Sequence, residues 1–321
     1  ALSSVITILG TKLAGKQPDK KHPLGYGRVE YLSAMIISVI VLYAGVTSFV
    51  ESVKKLIHPD TPDYSAVALV IIAVAVLVKI LLGRYVKKIG EQVNSDSLIA
   101  SGEDATLDAV ISASTLVAAA VYLIWGLRLE AWLGAVISVV IIKSGMEMLR
   151  DTLSEILGER ITAETAAEIK ATVTEFPEVS GAYDLLLHSY GPDRLVGSVH
   201  VEVPDTLSMR ELDLLERNIA YTVYRKHGVQ LAGISIYARN TEDPEAVELY
   251  ERVYSAVMAH EHVLQLHGFY LDRNSKTVTF DVVIDFDAPD RMAEYRAIQN
   301  EIQEMVPDYT VCIVLDSDLS D

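Results

Sequence analysis

The 321 residues are half apolar and average a positive hydropathy of +0.28, which disfavours a purely soluble chain. The formal charge of -17 is unevenly held: residues 1–160 carry 15 basic and 15 acidic side chains, whereas residues 161–321 carry 12 and 29. An acidic half repels nucleic acid, and a single cysteine, Cys312, excludes an intrachain disulfide framework or a thiolate cluster.

Ala1 to Leu13 is uncharged apart from Lys12, too short to cross a bilayer, and not preceded by a signal-peptide pattern. The chain reads as starting inside a helix, and the protein's true N-terminus is expected to lie upstream. Tyr31 to Val50 and Ala109 to Leu127 contain no charge, and at about 1.5 Å per residue each is long enough to cross roughly 30 Å of hydrocarbon. Tyr64 to Gly83 is interrupted only by Lys79, whose long stem is expected to reach the interface. Ala131 to Ile142 is shorter and continues through Lys143, Glu147 and Arg150 as an amphipathic pattern, a span with a polar, inward-facing end.

Basic residues alternate between the connections. Lys12, Lys16, Lys20, Lys21 and Arg28 follow the first helix, none lies between Pro59 and Asp63, Arg84, Lys87 and Lys88 come next, then only Arg128, then Arg150 and Arg160. This alternation places the Lys16 loop, the Lys87 loop and everything after Arg160 in the cytoplasm. Lys54 and Lys55 run against the pattern, with Glu51 one turn earlier able to offset Lys55.

Beyond Arg160 the pattern changes to helix 162–175, strands 183–188 and 195–203, helix 209–226 and strand 230–237. The same order then returns as helix 244–259, strands 263–271 and 277–286, helix 291–305 and strand 310–315. The expected architecture is an α-helical transmembrane bundle (1–160) followed by two α+β ferredoxin-like cytoplasmic modules (161–240 and 241–321).

Ser97 to Trp125 reads as one helix, yet it holds Glu103, Asp104 and Asp108, the two aspartates about 10 Å and about 17 Å beyond Ser97. A carboxylate at the centre of a span costs on the order of 3 kcal/mol, so such residues face a cavity, a partner or an ion. Asp104 and Asp108 are four apart and share a helix face, where two like charges need a cation or a proton between them. The pair suits exchange of a divalent metal against protons. The plainer alternative puts both in headgroup water, with the span starting at Ala109. Glu103 points about 100° away from Asp104 and is expected to be a bundle contact. Two carboxylates without imidazole or thiolate favour Mn²⁺ or Mg²⁺ over Zn²⁺.

The stretches Lys16-Gln17-Pro18-Asp19 and His22-Pro23-Leu24-Gly25-Tyr26-Gly27-Arg28-Val29-Glu30, together with Asp104 and Asp108, resemble the cation diffusion facilitator family. The resemblance implies a six-span metal/proton antiporter working as a homodimer in a lipid bilayer, with a transport site shared between spans two and five and a cytoplasmic ferredoxin-like domain. It makes the first visible helix the end of span two, with span one absent and Ala1 just beyond that span's ligands. Asp104 and Asp108 match the span-five ligand positions, where zinc-selective members commonly have His followed by Asp; the Asp pair resembles the manganese-type subgroup. Mn²⁺ is the expected substrate, with Zn²⁺ or Fe²⁺ next, no organic cofactor, no enzymatic activity, and residence in a bacterial plasma membrane.

Some relatives hold a second metal in the loop on an Asp and two His; Asp19 and His22 match, but Tyr26 replaces the other His, which favours a structural loop. Arg28 resembles a basic residue tied to the end of span six, with Glu155 or Glu159 as the expected partner. In the first soluble module His200 matches one ligand of the regulatory site of zinc-type relatives, while Tyr183, Tyr237 and Arg239 stand at the others, so that site reads as lost. His188 with Asp184, and the group His260, His262 and His267, remain as metal ligands in another geometry or as ordinary histidines. The net -17 concentrates cations near the cytoplasmic entrance. A membrane-anchored sensor or scaffold without transport is the alternative function; no filter-like repeat suggests a channel, and no phosphate-binding loop suggests ATP.

Overall fold

Four helices carry the apolar runs, in a computed structural model that describes residues 2–58, 66–125, 129–192 and 194–317. Expectations that rest on Ala1, on Pro59 to Asp63 and on Arg128 lie outside the described residues. A short helix, α1 (Leu2–Ala14), precedes α2 (Val29–Ile57), α3 (Ala66–Gln92), α4 (Asp96–Trp125) and α5 (Glu130–Leu157). The last four are each long and apolar enough to cross a membrane. The short fourth run and its amphipathic continuation are one uninterrupted helix, α5, stopped by Gly158 in the left-handed conformation (φ 93°).

The chain divides into two compact units, one of residues up to Glu159 together with Ser189–Arg194, the other of Arg160–His188 and everything from Leu195 on. In the first unit α2 packs along α5, α3 along α4, and α1 against α2 and α4. Lipid offers no hydrophobic drive for such pairing, so close backbone approach matters. A methyl added at Gly102 of α4 would sit 2.6 Å from the backbone nitrogen of Lys87, and one at Gly83 of α3 would sit 2.9 Å from the Gly102 carbonyl oxygen. The outer face of α3 shows Val70, Ile71, Val74, Leu77 and Leu81 exposed, as a lipid-facing surface requires.

In the second unit the order is α6 (Ala163–Val173), β1 (Gly181–Ser189), β2 (Leu195–Pro204), α7 (Met209–His227), β3 (Val229–Arg239), α8 (Pro244–Val257), β4 (Val263–Asp272), β5 (Thr277–Ile284), α9 (Arg291–Met305) and β6 (Thr310–Asp316). Each module is a three-stranded sheet, ordered β1-β2-β3 and β4-β5-β6. In both, the helix-connected last pair is parallel. Caps set the helix starts: Ser208 and Glu211 form a capping box on α7, and Asp243 followed by Pro244 opens α8. One sheet face in each module is apolar and covered by its helices. Leu185, Val199, Val201, Ile219 and Val223 fill the first core, and Phe280, Val282, Ile284, Ile298 and Ile302 the second.

Candidate functional site

The spacing of small polar residues on α1 explains how α4 is seated. Ser3, Thr7 and Thr11 recur every four residues and so line one face of α1. Ser3 Oγ donates to Asp104 Oδ2 at 2.5 Å, Thr7 Oγ1 to the Ser97 carbonyl at 3.3 Å, and Thr11 Oγ1 meets Ser97 Oγ at 3.4 Å. Below this seam Glu30 of α2, only 2 % exposed, accepts hydrogen bonds from the hydroxyls of Ser95 and Ser97. A hydrogen-bonded polar track thus runs from Glu30 up the α1–α4 contact to Asp104. The i, i+4, i+8 hydroxyl spacing was legible in the sequence, but its role was not foreseen, nor was that of Glu30.

Asp104 and Asp108 are both half-buried in α4. Asp108 Oδ2 accepts from Lys79 Nζ of α3 at 2.7 Å. This corrects the expectation that Lys79 reaches for the membrane interface: a carboxylate one helix away offers the ammonium a better partner than the headgroup region. Glu103 points elsewhere, as its 100° offset required, and accepts from Lys87 Nζ at 2.7 Å. Lys55 Nζ reaches Glu130 Oε1 of α5 at 2.9 Å, a cross-helix partner invisible to the linear count of basic residues.

Two polar cavities open along α4. One, of about 580 Å³, is lined by Lys87, Glu103, Thr106, Ser144, Glu147 and Asp151, beside the C-terminal half of α5. The other, of about 110 Å³, lies further along α4 among Ser48, Ser52, Ser114, Thr115, Glu130 and Ser138.

The loop after α1 is held by its own hydrogen bonds. Asp19 Oδ2 accepts from Tyr26 Oη at 2.6 Å, and Asp19 Oδ1 from the backbone N–H groups of Lys21 and His22. The Tyr26 hydroxyl, ahead of the backbone donors, pulls the Asp19 carboxyl well below the usual range. The His22 ring leans on Tyr26, centroids 4.3 Å apart. Arg28 lies over the Tyr190 ring and donates from Nε to the Ser189 carbonyl at 3.0 Å, in place of the expected pairing with Glu155 or Glu159.

In the cytoplasmic unit His188 is exposed and does not meet Asp184. Asp184 instead engages His200, whose Nδ1 is 2.6 Å from Asp184 Oδ2 and 2.8 Å from Tyr237 Oη. The Asp184 hydrogen bond pushes the His200 imidazole above its ordinary range, against the opposing effect of burial. Arg239 stands 3.8 Å from Glu202. His260, His262 and His267 do not form one group: His260 bonds Glu301 at 2.9 Å, His262 offers its backbone N–H to Glu294, and His267 is buried near Asp184.

The cation efflux transmembrane-domain model matches residues 1–157, and the cation efflux cytoplasmic-domain model matches residues 161–232. The chain belongs to the cation diffusion facilitator family. Similar proteins include an uncharacterized transporter of Methanocaldococcus jannaschii, 26% identical over 67% of this chain and 76% of its own. The manganese efflux system protein MneP of Bacillus subtilis is 25% identical over 70% and 76%, and the cation-efflux pump FieF of Citrobacter koseri 23% over 70% and 74%. The protein is therefore a cation efflux transporter and not an enzyme. It is integral to a membrane through its apolar helices, with the C-terminal half cytoplasmic. The second module, from residue 241 on, lies beyond both matched segments.

Proposed function

We propose that the protein exports a divalent transition metal from the cytoplasm in exchange for protons, as a homodimer, with Asp104 and Asp108 as metal ligands. Mn²⁺ is the favoured substrate, ahead of Zn²⁺ and Fe²⁺. The observation that carries the reading is the pairing of Asp108 with an ammonium and Asp104 with a hydroxyl on a helix that also lines two polar cavities. Two carboxylates in a low-dielectric bundle need positive charge nearby, and Lys79 supplies it in the state described. A metal entering past Glu103, Glu147 and Asp151 replaces that ammonium and takes an oxygen from each aspartate.

Rocking of the helices then opens the pair toward the serine-lined cavity, where protons take the metal's place. The all-oxygen character of the pair supports Mn²⁺, since imidazole and thiolate are the donors that draw Zn²⁺. The relation to a manganese efflux protein points the same way. The homodimer is supported by the match to the family's cytoplasmic dimerisation domain.

The test is a competition series in proteoliposomes containing the complete protein. Mn²⁺ influx should alkalinise the lumen in strict step with metal movement, as protons leave in exchange, and Zn²⁺ should compete less well than Fe²⁺ or unlabelled Mn²⁺. Metal flux with no proton counterflow would overturn the antiport reading, and preference for Zn²⁺ would overturn the assignment of Mn²⁺.

A further inference from the structure

The helix-free faces of the two cytoplasmic sheets carry the most unusual side chains of the second unit. On β4 and β5 the register sets His267 opposite Asp281, and both alternate with core residues Leu266 and Val282, so they project away from the module's own helices. Asp316 at the end of β6 pairs in register with Val283 of β5. From the other module Asp184 comes in from β1, where a left-handed backbone (φ 50°) departs from regular strand geometry. Side-chain ligand atoms of Asp184, His267, Asp281 and Asp316 all lie within 4.8 Å of one another.

His267 makes this more than a cluster of acids. It is 1 % exposed, and neither ring nitrogen takes part in a hydrogen bond. Its Nε2 nevertheless points among three carboxylates, 3.2 Å from Asp184 Oδ2, 3.5 Å from Asp316 Oδ2 and 4.0 Å from Asp281 Oδ2. A buried imidazole without hydrogen bonds is costly, and a metal coordinated through Nε2 would remove part of that cost. The ring is fixed by stacking on Tyr183, centroids 4.7 Å apart and 12° between planes. Tyr237 Oη donates to Asp281 Oδ2 at 2.5 Å and to Asp184 Oδ2 at 3.1 Å, and His200 meets Asp184 at 2.6 Å, an outer layer of the kind that orients metal-binding carboxylates.

We infer that Asp184, His267, Asp281 and Asp316 form a binding site for one divalent transition-metal cation that clamps the two cytoplasmic modules of a single chain together. Bonds of about 2.0–2.2 Å place adjacent ligands about 3 Å apart and opposite ones about 4.4 Å apart, so the observed set closes on an ion with shifts of a few tenths of an ångström. Three carboxylates and one imidazole suit Mn²⁺, Fe²⁺ or Zn²⁺ and disfavour a soft ion such as Cu⁺. Three of the four ligands lie in the second module, outside both segments matched to the family. The site gives that module a role: it makes the mutual docking of the two sheets respond to metal in the cytoplasm.

The complete protein in detergent, with Asp104→Asn and Asp108→Asn to silence the membrane pair, separates this site from the proposed transport site. Metal-free protein is dialysed against Mn²⁺ and, separately, Zn²⁺, and bound metal is counted by mass spectrometry. One ion of Mn²⁺ or Zn²⁺ should be held per chain, and Asp316→Asn or Asp281→Asn should each weaken its binding by about tenfold or more. Both replacements are isosteric, and an unchanged metal-free circular dichroism spectrum establishes that the chain is folded. The metal-dependent rise in melting temperature of the cytoplasmic unit should vanish with the same substitutions. No bound metal in the Asp104→Asn, Asp108→Asn chain, or binding indifferent to Asp281→Asn and Asp316→Asn, would overturn the site.

Discussion

Lys79 Nζ on α3 stands 2.7 Å from Asp108 Oδ2 on α4, so a cation occupies the place beside the carboxylate that a metal would need. With Lys79→Met the carboxylate loses its internal competitor. Mn²⁺ affinity at the membrane pair should rise by about tenfold, or roughly 1.4 kcal/mol, while turnover falls because release becomes slow. Titration of the variant against the parent protein checks this, and equal or weaker affinity would show that Lys79 does not compete with metal.

Glu30 stabilises the lower end of the polar track through Ser95 and Ser97. Glu30→Ala strands those hydroxyls in a buried position and should lower stability by about 1–3 kcal/mol. Thermal unfolding in detergent is the measurement. Unchanged melting would mean that the serines find other acceptors at no cost.

Gly102 lets α3 and α4 approach at the level just below Asp104 and opposite Lys87. Gly102→Val forces a side chain against the Lys87 backbone, spreading the helices and separating Lys79 from Asp108. Transport should fall at least about tenfold, as small displacements of reacting groups commonly do, while the cytoplasmic modules keep their own melting transition. Parent-like transport would show that the α3–α4 spacing is not what positions the pair.

Phe280 is fully buried at the centre of the second cytoplasmic core. Phe280→Ala should destabilise that module by about 3–5 kcal/mol. Hydrogen exchange resolved by peptide provides the check, with protection lost first across β4, β5 and α9. Uniform loss over all the strands would instead show the two modules unfolding as one.

Much of the architecture was legible because its signals are local. Uncharged runs of nineteen and twenty residues mark α2 and α4, and the period-two pattern at Val199, Val201 and Val203 marks β2 to within a residue of its end. The helix carrying Asp104 and Asp108 was readable from a rise of about 1.5 Å per residue. Their partners were not, since Ser3 is separated from Asp104 by 101 positions and only the packing of α1 on α4 brings them together. Lys79 was misread for the same reason: a linear sequence shows a basic residue near the end of an apolar run, not the carboxylate on the neighbouring helix. Likewise His267 appeared to belong with His260 and His262, its neighbours along the chain. A strand turns successive side chains to opposite faces, and the docking of the other module decides what His267 meets.

The most direct test of the transport account is Mn²⁺ flux, coupled to proton movement, in proteoliposomes bearing the complete protein with Asp108→Ala. The account predicts loss of flux with the helical content and melting of the protein retained. Flux equal to that of the unsubstituted protein would contradict it, and would remove the α4 aspartates from the path of the ion.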